Sequence, residues 1–590
     1  LEKPSRGIGR VYTHTNPRFE PPADEPRAQP AQPPRRPAPG PEVIEQVKQR
    51  LNRDLARWMQ DTGYPELPQL TVLARAYRAK WSVAYHNEAL VKRVVAIVDE
   101  LCRRFAADAK MVESEPKWRS FGPAGYAIAE LAEPLAPYLD QPLTIADHPT
   151  TRRAAWADAM AASLAFRRTH RPGYTNQAMI SDMNLYLTNR GLAVLAPDRA
   201  LAEEAARRYV REAVGVLPWV GNDLPDGGSA RPLGDNYYQT TRRGLTRELG
   251  YVGGYGEVLD WVAKVYDATC VGGGQGDPRI REHLAAMVSA RAPFRYPGAD
   301  ADGYRTMLLE TAVGWRDGTY PGSSTYLARA GWESSPAQVA ALLGSGPAVG
   351  YLQSQMADNQ YYASLGDALR NGSYDASLTL IGVPDDVELL LSAPPQGQLL
   401  PMADRDDFVW ADEQDGVVAI RLGERRLYAS LFYRARYGIN HLARIHEILP
   451  DRQTVANVWQ ETRFRDSGLT YTFEAWCDKA FTPWQHNPPG QPRQAMAGQT
   501  IPIAAVPPGA EQPKPGQENP FIGRGTFYLL HYGDLTIAMN TTGLDGIPAE
   551  TFTLPKPAAR AVRLPDRAPV TSDLAVPPAS TVVLLAEEEA

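Results

Sequence analysis

The chain has 590 residues, of which 43% are hydrophobic and 22% are charged, and this length predicts about two to four structural units. Its 62 basic and 68 acidic residues give a net charge of −6, which argues against a general nucleic-acid-binding protein, because such proteins carry a basic excess. The three cysteines, Cys102, Cys270 and Cys477, have no CxxC spacing and therefore predict neither a zinc site nor a disulfide framework.

The N-terminal segment, residues 1–42, contains eleven prolines and predicts an extended linker or surface arm, because it cannot bury enough apolar surface to fold. No apolar run in the chain approaches the roughly 20 residues that cross a bilayer. The chain begins with Leu1 rather than Met, which we interpret as a cloning scar or a processed end, compatible with an earlier signal peptide.

Residues 43–372 are predicted to form a helical domain. Between residues 87 and 105, for example, Leu90, Val94 and Ile97 recur at the spacing that places them on one helix face. Helical hairpins in such number predict an open solenoid or a closed toroid, and the lack of a fixed repeat argues against a standard solenoid. The other predicted helices lie at 42–61, 68–85, 124–138, 152–168, 178–189, 199–214, 236–249, 254–269, 279–290, 303–313 and 336–343.

Residues 373–590 are predicted to form an antiparallel β-sandwich, because many short strands follow one another without helices between them. A proline- and glycine-rich stretch at 482–525 predicts a long surface loop. The expected binding cleft lies where the helical and β domains meet. The predicted strands are 377–381, 387–391, 417–422, 427–433, 454–459 and 469–476, with a hairpin at 527–540 that turns at Gly533-Asp534.

Several catalytic signatures are absent from the sequence. It has no HExxH and no GxSxG motif, and the glycine run from Gly272 to Asp277 lacks the Lys-Ser/Thr pair of a phosphate-binding loop. Three familiar kinds of active site, namely a metalloprotease, an α/β-hydrolase and a P-loop nucleotidase, are therefore not indicated.

Polar and aromatic residues are most concentrated between Arg171 and Tyr255. Amides, phenols and guanidinium groups lose free energy on burial unless they find partners, so we interpret this stretch as the floor of a binding cleft. Its densest segments are Tyr174-Thr175-Asn176-Gln177, Pro225-Asp226-Gly227-Gly228 and Asp235-Asn236-Tyr237-Tyr238-Gln239.

Two residues of this stretch have both a structural and a functional interpretation. Asn176 precedes a helical apolar pattern, so it is either the N-cap of that helix or an amide that faces a ligand. Tyr238 and Arg242 are four residues apart in a predicted helix, so the cation either stabilises a phenolate or belongs to an ordinary helix surface.

A second group of candidates lies in the β domain. His441 and His446 flank Arg444, close to Arg434 and Arg436, and this pattern favours an anionic substrate, with structural histidines as the alternative. Their odd spacing places the two histidines on opposite faces of a continuous strand unless a bulge or turn intervenes. Candidates for stacking on sugar rings, which would suit a core equally well, are Trp118 and Trp315.

Taken together, these features resemble the polysaccharide lyases of the alginate lyase and heparinase II/III type. The resemblance rests on the domain order, on Asn176 near a helix start, on the segment from Pro225 to Gln239, and on a histidine in an Arg-rich strand. It implies an α+β multidomain protein with an N-terminal incomplete (α/α) toroid and a C-terminal antiparallel β-sandwich. Those enzymes often have Asn-His and Tyr-His where this chain has Asn176-Gln177 and Tyr238-Gln239.

The resemblance also implies the reaction, which is β-elimination on an acidic, uronic-acid-containing polysaccharide by a secreted or periplasmic enzyme. No nucleic-acid or membrane partner and no cofactor is implied, and a structural metal ion stays open. In this interpretation Asn176 neutralises the carboxylate, Tyr238 or Tyr237 transfers the proton, and His441 or His446 is the partner base. Substrate contacts are assigned to Gln177, Asn236, Arg242, Arg444, Trp118 and Trp315.

Two alternative functions fit the same sequence. A glycoside hydrolase would need two carboxylates about 5–10 Å apart, and Asp226, Asp235, Glu248 and Glu257 lie in the polar stretch. A non-catalytic glycan-binding protein would use only the aromatic loops.

Overall fold

The computed structural model describes most of the chain from residue 40 onward. Outside the description lie the proline-rich residues 1–39 and several predicted site residues, including Trp118, Trp315, Arg434 and Arg436. The described residues are 40–65, 67–114, 121–173, 175–247, 259–299, 305–309, 324–326, 336–357, 360–370, 378, 380–397, 400–403, 406–433, 435, 437–472, 498–517 and 519–587.

The first part of the chain is mainly helical, as the sequence predicts. In α1, for example, Val43, Val47, Leu51 and Leu55 recur every four residues and all are buried. The helices are α1 (Val43–Gln60), α2 (Gln69–Arg78), α3 (Glu88–Ala107), α4 (Met111–Ser114), α5 (Gly122–Glu130), α6 (Ala132–Leu139), α7 (Arg152–Thr169), α8 (Thr175–Leu195), α9 (Glu203–Ala213), α10 (Leu259–Ala268), α11 (Pro278–Arg291), α12 (Pro336–Leu343), α13 (Pro347–Ala357), α14 (Gln360–Arg370) and α15 (Val383–Ser392).

Helix α8 is central to the helical part and is buried along most of its length. It packs against α5, α7 and α9. The approach of α5 is so close that a Cβ atom on Gly191 would lie 2.6 Å from the Cα atom of Gly125, so both positions need glycine. The start of α8 is fixed by buried Arg171, whose guanidinium binds Asp182 at 2.7 Å and Glu212 at 2.6 Å.

The second part of the chain is dominated by one antiparallel sheet of ten strands, in the order β17-β16-β19-β14-β13-β10-β9-β8-β7-β6. The predicted hairpin is confirmed, with β13 and β14 joined between Tyr532 and Leu535. These strands are β6 (Phe408–Asp412), β7 (Val417–Leu422), β8 (Arg425–Ser430), β9 (Leu442–Ile448), β10 (Gln453–Arg463), β13 (Phe527–Tyr532), β14 (Leu535–Asn540), β16 (Ala561–Leu564), β17 (Ala568–Pro569) and β19 (Ser580–Ala586).

Smaller sheets complete the described strands. The pair β15 (Phe552–Leu554) and β18 (Leu574–Val576) packs with residues of β13, β14 and β19 in one apolar cluster. The remaining sheets are β1 (Pro142–Ile145) with β2 (His148–Thr151), β11 (Asp466–Thr472) with β12 (Thr500–Ala504), and β3 (Arg295–Ala299) with β4 (Arg305–Leu309) and β5 (Ser324–Tyr326).

The helical-then-β order is confirmed, while five local predictions are wrong. One of them is the loop at 482–525, in which Thr500–Ala504 forms β12. Residues 387–391, predicted as a strand, lie within α15, and Leu378 and Leu380 of the predicted strand 377–381 are helical. Conversely, Arg305–Leu309 of the predicted helix 303–313 forms β4, and residues 236–247 form turns and an isolated bridge rather than a helix. The toroid, the two-layer sandwich and the boundary at residue 372 stay predictions.

The helical and β parts share an apolar cluster. Leu245 and Phe294 from the helical part pack in it with Val417, Tyr428 and Ile448 from the sheet. None of the helices in the described ranges is long and apolar enough to cross a membrane.

Candidate functional site

The predicted cleft region contains direct polar contacts between the helical and β parts. Thr241 Oγ1 donates to Asp412 Oδ2 at 2.6 Å, and the backbone N–H of Arg242 donates to Gln414 Oε1 at 2.6 Å. Arg247 adds a two-pronged ion pair with Asp545. Residues 241–247 therefore form a seam that fixes the two parts against each other.

Asn176 lies in the first turn of α8 and is only 3% exposed. The capping interpretation is wrong, because the helix begins at Thr175 and Asn176 is already its second residue. The neighbouring Thr175 hydroxyl donates to the carbonyl of Arg247, whereas Asn176 Oδ1 has no hydrogen-bond partner among the described residues. A buried amide without a partner costs about 1–3 kcal/mol, so its presence needs an explanation other than stability.

Near the start of α8 lie two more buried polar atoms without a hydrogen-bond partner among the described residues. Gln239 is fully buried, and its Nε2 donates to the carbonyl of Gly173 at 3.3 Å, while its Oε1 has no partner in the described part of the chain. Trp219 packs beside Gly173 and its indole N–H is likewise buried and uncommitted. Gln239, which departs from the lyase pattern in the sequence, therefore lies near the same helix start as Asn176.

The two candidate tyrosines have different surroundings. Tyr237 is buried against Trp219 and Phe521, and the guanidinium of Arg247 lies 4.7 Å from the centre of its ring. Tyr238 is half-buried, and its carbonyl accepts from Arg247 Nη1 at 3.3 Å. The packing of Tyr237 is that of a core residue, so Tyr238 is the better placed of the two for contact with a ligand.

The remaining predicted contacts of the helical part are accessible. Asn236 and Arg242 are exposed, and Gln177 is half-buried. Because residues 236–247 are not helical, the shared helix face proposed for Tyr238 and Arg242 does not exist. The backbone N–H of Arg242 instead donates to the side chain of Gln414 in the β part.

Asp545 is the residue of the β part that binds the buried end of the seam. It accepts from Arg247 at 2.8 Å and 2.9 Å, from Gln414 Nε2 at 2.7 Å and from Arg524. Burial raises the pKa of this carboxyl, but the charges of Arg247 and Arg524 outweigh burial and lower it to about 2. The ionised carboxylate is therefore the form that holds the two arginines together.

The turn between β6 and β7 carries a second, unusual carboxyl. Asp415 is 0% exposed and neither of its oxygens has a hydrogen-bond partner among the described residues. It lines a cavity of about 10 Å³, room for a single water molecule, together with Arg247 and Arg524. Burial, aided by the charge of Asp412, raises its pKa well above the ordinary value despite the two arginines.

We expect Asp415→Asn to stabilise the protein at pH 7. The raised pKa means that Asp415 weakens the folded state increasingly as the pH rises above its unfolded value of 3.8. The neutral isostere should therefore add about 0.5–2 kcal/mol to the free energy of unfolding, with the gain vanishing near pH 3.8. Urea unfolding at several pH values tests this, with exposed Asp226→Asn as the control. A gain that is equal at pH 4 and pH 7 would contradict it.

The β-domain candidates lie on and beside β9. Arg444 and His446 are buried in this strand, and Arg444 Nη2 donates to the hydroxyl of Tyr433 at 2.5 Å. His441 precedes the strand and its ring lies beside Trp459, whereas His446 lies beside Tyr428. The two imidazoles therefore have different neighbours. Burial lowers the pKa of His441 below its usual range.

The carboxylates considered for a hydrolase are engaged in local turns where they are described. Asp226 accepts from the backbone of Gly228 at 2.9 Å, and Asp235 pairs with Arg231 on the surface. Glu248 and Glu257 lie outside the described residues. Within the described ranges, no group of three or more His, Cys, Asp or Glu side chains is placed to hold a metal ion.

Comparison with known proteins gives a distant structural likeness. No protein-family model and no curated protein matches the sequence. Among solved structures, the chain is similar to a xanthan lyase from Paenibacillus, with a TM-score of 0.35 and 11% sequence identity. The match covers 90% of this chain and 49% of that protein, so the chain spans about half the length of the xanthan lyase.

The sequence did not predict that the turn at residues 412–416, Asp545 or Arg524 lies between the helical and β parts. A segment Asp412-Glu413-Gln414-Asp415-Gly416 between two strands is typical of an exposed turn, yet its first four residues are buried. Contacts with Thr241, Arg242, Asp545 and Thr581 account for that burial.

Proposed function

We propose that this chain is a polysaccharide lyase that cleaves a uronic-acid-containing polysaccharide by β-elimination. The observation that carries the proposal is the carboxamide of Asn176, buried in the first turn of the 21-residue helix α8, whose oxygen has no hydrogen-bond partner in the part of the chain that the structure describes. A polymer substrate of this kind places the protein in the periplasm or outside the cell.

The chemistry requires such a group. The proton at C5 of a uronate becomes acidic enough to remove only when the neighbouring carboxylate is neutralised, and the charge that develops there must meet donors already in position. The Nδ2 group of Asn176 can donate to that carboxylate, and the positive end of the α8 dipole favours a negative charge at the same place. Arg242, exposed on the adjoining turn, adds a cation for the polymer.

The proton transfers are assigned to Tyr238 and a β-domain histidine. A base removes the C5 proton, the C4–O bond breaks, a C4–C5 double bond forms, and the departing oxygen receives a proton. Tyr238 supplies that proton in this assignment. His441 is the preferred base, because the lowered pKa keeps its imidazole neutral and able to accept a proton at pH 7, and His446 is the alternative.

Incubation with a panel of acidic polysaccharides tests the proposal. Elimination creates an unsaturated uronate that absorbs in the ultraviolet, and its appearance together with new reducing ends is the expected result. Reducing ends without the chromophore would show a hydrolase instead. Retention on a polysaccharide matrix with neither product would show a binding protein, and the lyase proposal would then be wrong.

A further inference from the structure

The faces of the ten-stranded sheet can be distinguished by strand register. Ala443 and Ile445 of β9 point into the core of the β part, whereas Ile448 packs with Leu245 and Phe294 of the helical part. Because side chains alternate along a strand, Arg444 and His446 are on the face toward the helical part. This face is called the junction face below.

Strand β10 continues the junction face to the protein surface. Asn457 pairs with Arg444 and Trp459 pairs with Leu442, while Ala456 belongs to the core on the other side. Trp459 is 53% exposed, and the His441 ring lies 6.4 Å from it with the two planes 24° apart. A single exposed aromatic needs no explanation, but this one adjoins a row of polar groups.

That row is formed by Ser430, Arg444 and Asn457, which lie side by side on β8, β9 and β10. Each has a buried atom without a hydrogen-bond partner among the described residues, namely Ser430 Oγ, Arg444 Nε and Asn457 Oδ1, and so does His441 at Nδ1. Asn457 and Trp459 are two residues apart on one face, or about 7 Å along the strand. The exposed ring of Trp459 therefore lies about 7 Å along the strand from Asn457, which pairs with Arg444 on β9.

We propose that Trp459 forms the outer part of a subsite for an acidic sugar residue. The indole contacts the apolar face of the sugar ring. The polar groups of Arg444 and Asn457 bind its carboxylate and hydroxyls, since a guanidinium group and a carboxylate form strong hydrogen bonds. The subsite rests on the proposed function for its ligand and lies on the β part, beside the proposed base His441. Trp459 is therefore a positioning residue that binds the polymer.

The test compares Trp459→Ala with Trp459→Phe and with Tyr85→Ala, a control at another exposed aromatic, 41% exposed on the helical part. Initial rates of chromophore formation should show about a ten-fold higher KM for Trp459→Ala with kcat changed less than about two-fold. Trp459→Phe should recover most of the affinity, and Tyr85→Ala should match the wild type. An unchanged KM in Trp459→Ala would overturn the subsite while leaving the lyase intact.

A binding readout separates the subsite from catalysis. In gel electrophoresis through an acidic polysaccharide, retardation of the wild type but not of Trp459→Ala supports the subsite even if no polymer is cut. Equal retardation of the two proteins overturns it. With a carboxyl-reduced polymer of the same backbone, weaker retardation of the wild type supports recognition of the carboxylate, and unchanged retardation refutes an acidic ligand.

Discussion

Replacing Asn176 with alanine is expected to lower kcat on an acidic polysaccharide by about 10²–10³-fold, the usual effect of removing one donor that stabilises developing negative charge. The same substitution should leave the free energy of unfolding unchanged or raise it by up to about 1–3 kcal/mol, because the buried amide oxygen has no hydrogen bond to lose among the described residues. Asn176→Asp should be at least as inactive, because it brings a like charge to the uronate carboxylate.

A matched control lies on the same helix. Asn189 is also buried, but its amide is committed at both ends, accepting from the Leu201 N–H at 2.8 Å and donating to the Leu201 carbonyl at 3.1 Å. We expect Asn189→Ala to lose about 1–3 kcal/mol of stability while its folded fraction keeps a normal kcat. Urea unfolding and initial rates measure both quantities. If Asn176→Ala were destabilised and active, the amide would be structural and the assigned role would be wrong.

The sequence predicted those features of the fold that depend on local spacing. Helix α1 follows from apolar residues every four positions, and the β13–β14 hairpin follows from alternation around Gly533-Asp534. The run at 387–391 was assigned to a strand because a short apolar run does not distinguish strand from buried helix, and in the structure it lies within α15. Residues 236–247 combine helix-compatible spacing with bonds to a distant turn, and those bonds determine their conformation.

Some residues of the candidate site could likewise be predicted from the local sequence, whereas others could not. Asn176 could be singled out because a dense cluster of polar residues is visible locally. Arg247 and Asp545 are 298 positions apart, and nothing in either neighbourhood indicates that they meet. The exposure of Trp459 also depends on tertiary structure, because alternation along a strand shows which residues share a face but not where that face emerges into solvent.

The seam and the candidate site share one segment of chain. Residues 237–239 carry the tyrosines and Gln239, and residues 241–247 bind the β part. The carbonyl oxygen of Arg247 also accepts a hydrogen bond from the hydroxyl of Thr175, which is next to Asn176 in the chain. A substitution that weakens the contacts of residues 241–247 with the β part should therefore also disturb the start of α8, where Asn176 lies. We expect it to lower both the free energy of unfolding and the enzymatic activity.

Asp545→Ala should produce the largest loss of stability, about 3–5 kcal/mol, because it leaves the buried cations of Arg247 and Arg524 without their shared carboxylate. Asp534→Ala is the control, since Asp534 pairs with Arg425 at the surface and should cost about 0–1 kcal/mol. Urea unfolding at pH 7 measures both.

The pH dependence identifies the cause of that loss. The pKa of Asp545 is lowered from its ordinary value of 3.8 to about 2, so its stabilising contribution is complete above about pH 4 and is lost as the pH falls toward 2. The difference in unfolding free energy between wild type and Asp545→Ala should therefore shrink over that interval, whereas loss of packing alone would leave it constant. A constant difference would show that the ion pairs with Arg247 and Arg524 do not hold the seam.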